Sequence, residues 1–492
     1  MRSTTIDGDA LLSTCATLRR DGWRLATIAV DDSKVPELRY VFCGPQNEGW
    51  TQLFVRSDDT RSLPSLSPQD VSADWFEREI EDLFGINFTG HPRLGDFVLH
   101  DNRWEEGVAP MRASSPLREA IAQREWQPRR VLREEGAFVM PVGPIYAGEA
   151  ESALFLLETV GEDVVRTVPR LFYKYRGIEK LAQGRSAQDA LLLVERANGT
   201  SAFAHGWAFC RAAEGALRIA TPPRAQRLRT LVAEIERIRR HTAVIRAIVD
   251  STALIVAAAQ LLEIEERMLR LCGALTGHRY LFGTIAIGGL ARDLPDDAVR
   301  DAARALGELV RRLRTSVERL RYTSTFLDRI ERVGILTQAH AREFGALGPF
   351  ARASGVANDV RVLQPYGEYD GVTPVVPTEQ EGDGYARLRV LAREVEASLA
   401  LVERLAHDVP PGSVRTAWKP LAGESIGWVE APAGSCVQLV RLDDAGNCAT
   451  LRFTPPSFRN WQCFRWVAED FSFQDFSIIL ATCGLSVAES DR

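Results

Sequence analysis

The chain has 492 residues, 45% of them hydrophobic and 26% charged, the makeup of a soluble globular protein long enough for two or three cores. A net charge of −6 and a pI near 5.8 exclude the broad basic field that nonspecific nucleic-acid binding needs, so no nucleic-acid partner is expected. Eight cysteines (Cys15, Cys43, Cys210, Cys272, Cys436, Cys448, Cys463, Cys483) contain no C-x-x-C pair. That indicates neither a zinc ribbon, nor a disulfide framework, nor an iron–sulfur cluster held by this chain alone.

The opening "MRSTTIDGDALLSTCATLRR" lacks an apolar core ending in small residues, so no secretory signal is expected. Further on, "GWRLATIAVDD", "ELRYVFCG" and "GWTQLFVRS" alternate like strands, and "SADWFEREIEDLFG" reads as an amphipathic helix ending on a glycine C-cap. These make an α+β domain over residues 1–104. Its helix charges Arg78, Glu79 and Asp82 read as a solvated or docking face, and His91, before Pro92, as a turn residue packed on the helix. Residues 105–137 are charged, proline-bearing and aperiodic, as a linker running over a surface would be.

Residues 138–492 form a second, mainly helical domain. Helical periodicity, with an apolar stripe and charges opposite, marks "AQRLRTLVAEIERIRRHTAVIRAIV", the long run "DDAVRDAARALGELVRRLRTSVERLRYTSTFLDRIERV" and "GYARLRVLAREVEASLALVERLAHDV". "STALIVAAAQLLEIEERMLRL" is interrupted by Gln260, Glu263, Glu265 and Glu266, too polar for a membrane span, and reads as a buried helix. Near the end, "IGWVEAPAGSCVQLVRLDDAGNCATLRFTPPS" alternates as two or three antiparallel strands with an Asp-Ala-Gly turn. The fold class is therefore α+β: an α+β domain, then a helical domain with a small antiparallel β region.

Two groups of motifs resemble known families. "WFEREIEDLFGINFTGHPRLGDFVLHD" is similar to the signature of the 30 kDa peripheral-arm subunit of respiratory complex I, a docking module without known catalytic residues. "YKYRGIEKL", "LTGHRYLFGTIAIGGLARDLP", "GPFARASGVANDVR", "PYGEYD", "VEAPAG" and "PSFRNW" resemble the large subunit of [NiFe] hydrogenases and its descendant, the 49 kDa subunit lining the quinone cavity of complex I. Both modules in one chain are characteristic of the large subunit of formate hydrogenlyase and related membrane-bound hydrogenases.

The resemblance also shows what has changed. A [NiFe] centre needs four soft, anionic thiolates, for which amide, hydroxyl and carboxylate oxygens are poor substitutes. The family's E-R-I-C-G-I-C-G-F-A-H corresponds here to "ERANGTSAFAH", with Asn198 and Ser201 at the cysteine positions. The second pair, anchored on the closing "SDR", falls on Ser486 and Glu489, with Cys483 three positions away. Ala433 of "EAPAG" replaces an arginine of the family pattern. The resemblance thus implies a hydrogenase-type subunit with no metal and no other cofactor of its own. For quinone chemistry, complex I relatives use a hairpin histidine and a tyrosine in an R-T-Y motif; here Tyr146 and Ala187 stand in their places. A phenol with a pKa near ~10 is a poorer neutral-pH proton donor than imidazole.

Tyr146, Glu179 and His205 are the candidate cavity residues should a quinone-like acceptor bind; Glu179 reads alternatively as the partner of Arg176 in a helical ion pair, and His205 as a satisfied core histidine. The implied partners are an iron–sulfur small subunit with a [4Fe–4S] cluster and antiporter-like integral membrane subunits. The implied location is the cytoplasmic face of the membrane, held there peripherally through those subunits. The function expected is that of a large subunit in a formate-hydrogenlyase-like, complex-I-like oxidoreductase, acting as scaffold and coupling element or, alternatively, passing electrons to a quinone-like acceptor.

Overall fold

The computed structural model describes residues 2–32, 36–56, 62–105, 107–112, 115, 132, 135–145 and 151–492. The first layer is a four-stranded sheet in the order β1-β4-β3-β2, made by β1 (Arg2–Ile6), β2 (Arg24–Asp31), β3 (Glu37–Cys43) and β4 (Trp50–Arg56). Only the β1–β4 pair is parallel. Helix α1 (Leu11–Arg20) connects β1 to β2. After β5 (Ser62–Pro64) comes α2 (Asp74–Phe84), the charged signature helix, and then β6 (Asn87–Thr89). Gly85 ends α2 at φ 63°, a left-handed conformation that suits glycine at a helix C-cap.

A second sheet, ordered β15-β9-β8-β7, includes β7 (Ala137–Val142), β8 (Leu154–Val160) and β9 (Asp163–Arg170). β7 and β8 form an antiparallel hairpin, and the connection between them contains Tyr146, which lies outside the described residues. Most of the proposed 105–137 linker lies outside them as well.

The helical body follows with α3 (Ile178–Ala182), α4 (Ala187–Glu195), α5 (Ala202–Leu217), α6 (Pro223–Ser251) and α7 (Ile255–Thr276). The two-residue strands β10 (Ile285–Ala286) and β11 (Gly289–Leu290) precede α8 (Asp296–Leu320) and α9 (Ser324–Ile330). Then come α10 (Gln338–Glu343), α11 (Gly348–Arg352), α12 (Val360–Leu363) and α13 (Gly384–His407). A three-stranded antiparallel sheet, β12 (Gly423–Ala431), β13 (Gly434–Leu442) and β14 (Cys448–Thr454), turns through Asp443–Gly446. The chain closes with α14 (Pro456–Val467), β15 (Phe471–Ser472), α15 (Phe476–Cys483) and α16 (Val487–Ser490).

Three expectations need correction. The long run from Asp296 is two helices, broken where Thr323 adopts an extended conformation. Leu320 and Phe326 are both buried but stand six residues apart, off the spacing of three or four that shares one helix face, so a change of direction is needed to bury both. Helix α7 is buried along Ala258, Leu261, Ile264, Met268, Leu269, Cys272, Leu275 and Thr276, but Ile255 and Val256 of its first turn are about three-quarters exposed (75% and 74%). In α6 the charges do not form a solvent face: Arg229, Glu234, Glu236, Arg237 and Arg239 are all buried, because α5, α7 and α13 pack around this helix.

The hydrophobic residues form two large cores. One fills the helical body between α4, α5, α6, α7, α8, α13 and the inner face of the β12–β14 sheet. The other is continuous from the N-terminal sheet and α2 into the second sheet, α14 and α15. Trp75 and Phe76 of α2 pack against Phe458 of α14, with ring centroids 5.6 and 5.4 Å apart, and Trp75 also meets Phe172. The N-terminal α+β layer is thus welded to the helical body by apolar area rather than resting on it.

Candidate functional site

Glu79 of the signature helix is buried and Asp82 half-buried, which corrects their reading as a solvated face. Glu79 bonds Arg452 (2.6 Å) and Arg492 (2.8 Å); across from it Glu179 contacts the same two guanidiniums, each at 3.4 Å. All four side chains are at most 5% exposed. This closed ring of two carboxylates and two arginines joins α2, α3, β14 and the end of the chain. Asp82 accepts from the backbone N–H groups of Phe97, Val98 and Leu99, and burial, with Glu81 beside it, pushes its pKa up to about 7. Arg78 stacks over the Phe97 ring. His91 does pack on the start of α2, with Nε2 3.3 Å from an Asp74 carboxylate oxygen.

The expected Arg176–Glu179 ion pair does not form. Gly177, at φ 62°, starts α3, so Arg176 lies before the helix and donates instead to the carbonyls of Arg196, Ala197 and Ala488. Glu179, freed from it, also accepts the backbone N–H of Phe453 at 2.7 Å.

Asn198, Ser201 and His205 lie at the entry to α5. The Asn198 amide oxygen caps the 3-10 turn Gly199–Ser201, accepting from the Thr200 N–H (2.9 Å) and hydroxyl (2.8 Å). The free N–H groups of Phe203 and Ala204 donate to the buried Glu236 carboxylate, both at 2.9 Å, and Arg239 donates to the Thr200 carbonyl. A carboxylate at a helix N-terminus satisfies donors and favours the dipole. Glu236 and Arg239 escape sequence reasoning because they look like ordinary surface charges of a long helix.

Ser486 and Glu489 begin the short closing helix α16. Ser486 caps it by accepting from the Glu489 N–H (3.1 Å), and its hydroxyl donates to Glu151 (2.8 Å). Glu151 also accepts the N–H groups of Val487 and Ala488. Glu489 accepts the Ser457 N–H at 3.0 Å. Its other oxygen lies 2.8 Å from Nε2 of His205, a short polar contact that is off the hydrogen-bond direction. Burial works to raise the Glu489 carboxyl, but His205 and Ser457 outweigh it and hold the group below the usual carboxylate range. The His205 ring also meets Phe453 edge-on at 5.1 Å.

The structure therefore couples His205, one turn past Ser201, to Glu489, so the beginning of α5 and the closing helix α16 meet. It does not bring His205 and Glu179 to a common cavity. Glu179 borders a recess of about 90 Å³ with Asp32 and Arg441, whereas His205 lines none of the larger cavities among the described residues. Next to Ala433 and Cys483 the free space is about 20 Å³, bordered also by His241, Arg387 and Asn460. That is room for one water molecule. Burial raises the Cys483 thiol above its ordinary value, so it stands there as a thiol and not as the thiolate a metal needs.

A third feature was invisible in the sequence. Arg352 bonds Glu394 (2.6 Å), Asp359 (2.9 Å) and Glu430; Arg361 bonds Asp359 (2.6 Å) and Glu234 (3.0 Å); Arg237 reaches Glu234 at 3.3 Å. His241 bonds Glu394 at 2.8 Å. Three guanidiniums thus face four carboxylates in a fully buried network. Burial and the neighbouring Asp359 push Glu430 up to about 7, the one acid there that is driven toward its protonated form.

Comparisons with known families agree with this geometry. The model of the respiratory-chain NADH dehydrogenase 30 kDa subunit matches residues 4–120, that of the 49 kDa subunit matches 254–421 and 414–492, and that of nickel-dependent hydrogenases matches 176–245. The chain is a fusion of complex I 30 kDa-type and 49 kDa-type domains that carries a nickel-hydrogenase-type segment. Formate hydrogenlyase subunit 5 of Escherichia coli (strain K12) is 28% identical over 453 residues, 90% of this chain and 79% of the relative. Hydrogenase-4 component G of the same organism is 28% identical over 487 residues, 96% and 84% of the two chains. The fused C/D polypeptide of NADH-quinone oxidoreductase from Bdellovibrio bacteriovorus is 27% identical over 467 residues, 88% and 83%. Among solved structures, a chain of the membrane-bound sulfane sulfur reductase, an archaeal respiratory membrane complex, superposes with TM-score 0.69 at 25% identity, covering 73% of this chain and 100% of its own.

The hydrogenase match implies a nickel–iron centre, and the residues present do not fit one. Asn198 and Ser486 are hard oxygen donors already used as helix caps, and Glu489 is held by His205 and Ser457. Among the described residues no three His, Cys, Asp or Glu side chains converge so as to hold a metal ion. No described helix is long and apolar enough to cross a membrane.

Proposed function

We propose that this chain is the large peripheral subunit of a formate-hydrogenlyase-like, complex-I-related membrane oxidoreductase assembly, and that it serves there as a scaffold and coupling element without a [NiFe] centre of its own. The reading is carried by one observation: hydrogen bonds and a close polar contact already occupy Asn198, Ser486 and Glu489, the last through Ser457 and His205. A bimetallic site needs open, anionic sulfur ligands at such positions. In their place a polar plug, closed by the His205–Glu489 contact, ties α5 to α16.

Support for the assembly comes from the relatives, which are subunits of formate hydrogenlyase, hydrogenase-4 and NADH-quinone oxidoreductase, and from the respiratory membrane complex that contains the structural neighbour. The partners this reading names are an iron–sulfur small subunit packed against the α5–α16 face and antiporter-like membrane subunits that hold the chain at the cytoplasmic face. The two-core architecture suits coupling, because the N-terminal layer and the helical body share one apolar core and one ion-pair ring and so move as one body. The test is elemental analysis of the intact assembly purified after expression with its maturation proteins. Nickel well below one atom per chain is expected, with iron accounted for by the small subunit. One nickel per chain would overturn the reading.

A further inference from the structure

Between the N-terminal sheet and the helical body lies a cavity of about 730 Å³, separate from the α5–α16 plug. Its volume falls in the range of small-molecule sites, roughly 300–1,000 Å³. Two of the side chains that line it carry unpaired N–H groups. Arg459, only 6% exposed, has a buried Nε without a hydrogen-bond partner, and the indole Nε1 of Trp50, a residue 4% exposed, has none either. Arg24 and Arg342 line the same space, and among the described residues neither they nor Arg459 has a carboxylate within ion-pair distance.

The acids in the lining are Asp70 and Glu343, and Asp70 is already engaged by the N–H (3.1 Å) and hydroxyl (2.6 Å) of Ser72. Gly345, at φ 65°, is where a side chain would collide with the Arg459 guanidinium, so this glycine clears the space in which the cation sits. A buried guanidinium Nε–H and a buried indole N–H left without acceptors each carry a desolvation cost. The pKa of Arg459 bears the mark: burial and the nearby Arg24 bring it down to about 10.

We propose that this cavity binds a small anionic molecule bearing phosphate or carboxylate groups, with Arg459 and Trp50 as the buried donors and Arg24 and Arg342 as the outer cations. Anion oxygens supply the acceptors the site lacks, and charge-assisted bonds to guanidinium are the strong ones. The cavity is large enough for a ligand well beyond a single phosphate group. Because it opens between the two modules, its occupant would bridge them.

The test uses the full-length chain and isothermal calorimetry, with inorganic pyrophosphate and citrate as probes and chloride as the competing simple anion. Saturable binding of at least one probe, weakened by added chloride, is expected. Arg459→Gln should weaken it about tenfold or more, the loss of one charge-assisted bond pair. If Arg459→Gln fails to fold, Trp50→Phe and the rim change Arg342→Gln serve instead; each removes donors without a buried charge change and should weaken binding several-fold while the melting temperature of the free protein holds. Absence of saturable binding by either probe, as when the cavity receives an acidic segment of a partner protein instead, overturns the proposal. So does binding that is indifferent to all three substitutions.

Discussion

Two buried clusters of charge sit on either side of the closing segment 486–492, and they are balanced differently. In the junction ring, Glu79 and Glu179 each face both Arg452 and Arg492, so every charge has two opposite neighbours. In the α5–α16 plug, Glu489 faces a single imidazole at a poor angle, and both ring nitrogens of His205 and the Ser490 hydroxyl lack hydrogen-bond partners. A matched ring is what a permanent joint between two domains needs. A loosely satisfied polar pocket places no such demand on its charges. Breaking a matched buried pair strands a charge and is costly, whereas a polar pocket tolerates loss of one weak bond.

The largest effect tests whether the junction is structural. Deleting residues 2–104 removes Trp75 and Phe76 from Phe172 and Phe458 and leaves Arg452 and Arg492 without Glu79. The loss should exceed the whole stability of a typical domain, about 5–15 kcal/mol. No soluble, cooperatively melting remainder is expected; obtaining one would reduce the junction to a docking contact.

Next, Arg452→Ala should cost about 3–5 kcal/mol in denaturant unfolding, since two buried carboxylates then share one guanidinium. Adding Glu79→Gln to it should recover part of that loss. Simple additivity of the two changes would show that the ring is not a unit.

The plug should respond less. His205→Phe keeps the packing on Phe453 but removes the only basic side chain within 4 Å of Glu489 among the described residues, and a loss of about 2–3 kcal/mol is expected, below that of Arg452→Ala. A loss as large as the junction's would erase the contrast between the two clusters.

The pH dependence sharpens it further, because neighbours in the closing segment titrate in opposite senses. Glu489 is held below its ordinary value, so its contribution is present above an unfolded pKa of about 4.3 and is lost as pH falls through the lower folded value. Asp491 is pushed up to about 7 by burial, despite accepting the N–H groups of Phe172 and Lys174. Its contribution is complete below about 3.9 and is lost as pH rises through about 7. Asp491→Asn should therefore flatten the decline of melting temperature between about pH 4 and pH 7 and leave the acid limb alone, and Glu489→Gln should do the reverse. Identical profiles for both variants and the parent would refute the assignment.

The smallest effects lie at the positions that the resemblance aligns with the family's metal ligands. Ser486→Ala loses a helix cap and a bond to Glu151, about 1 kcal/mol. Ser201→Ala, beside it in the resemblance but without a cap bond of its own, should stay within about 0.5 kcal/mol. A large loss of assembly turnover in Ser201→Ala, with stability unchanged, would reveal a chemistry in the plug.

Much of this architecture was legible in the order of residues. Period-two alternation located β2, β3, β4 and the β12–β14 sheet, and helical periodicity located α2, α6 and α13, because each pattern is a local property of consecutive side chains. The chemical character of the positions aligned with the family's ligands was also legible: an amide, two hydroxyls and a carboxylate at Asn198, Ser201, Ser486 and Glu489 are identities that no folding can turn into thiolates. The same patterns misjudged the charges. Arg229, Glu234 and Arg237 on α6 and Glu79 on α2 looked like solvent faces, since periodicity records where polar residues lie but not what will cover them.

Partnership was decided by the tertiary structure alone. Arg492 meets Glu79 across 413 residues of chain and Arg361 meets Glu234 across 127, separations at which no local spacing carries information. Whether a charge is paid for by water or by a countercharge depends on which distant elements close over it, and only the packed fold settles that.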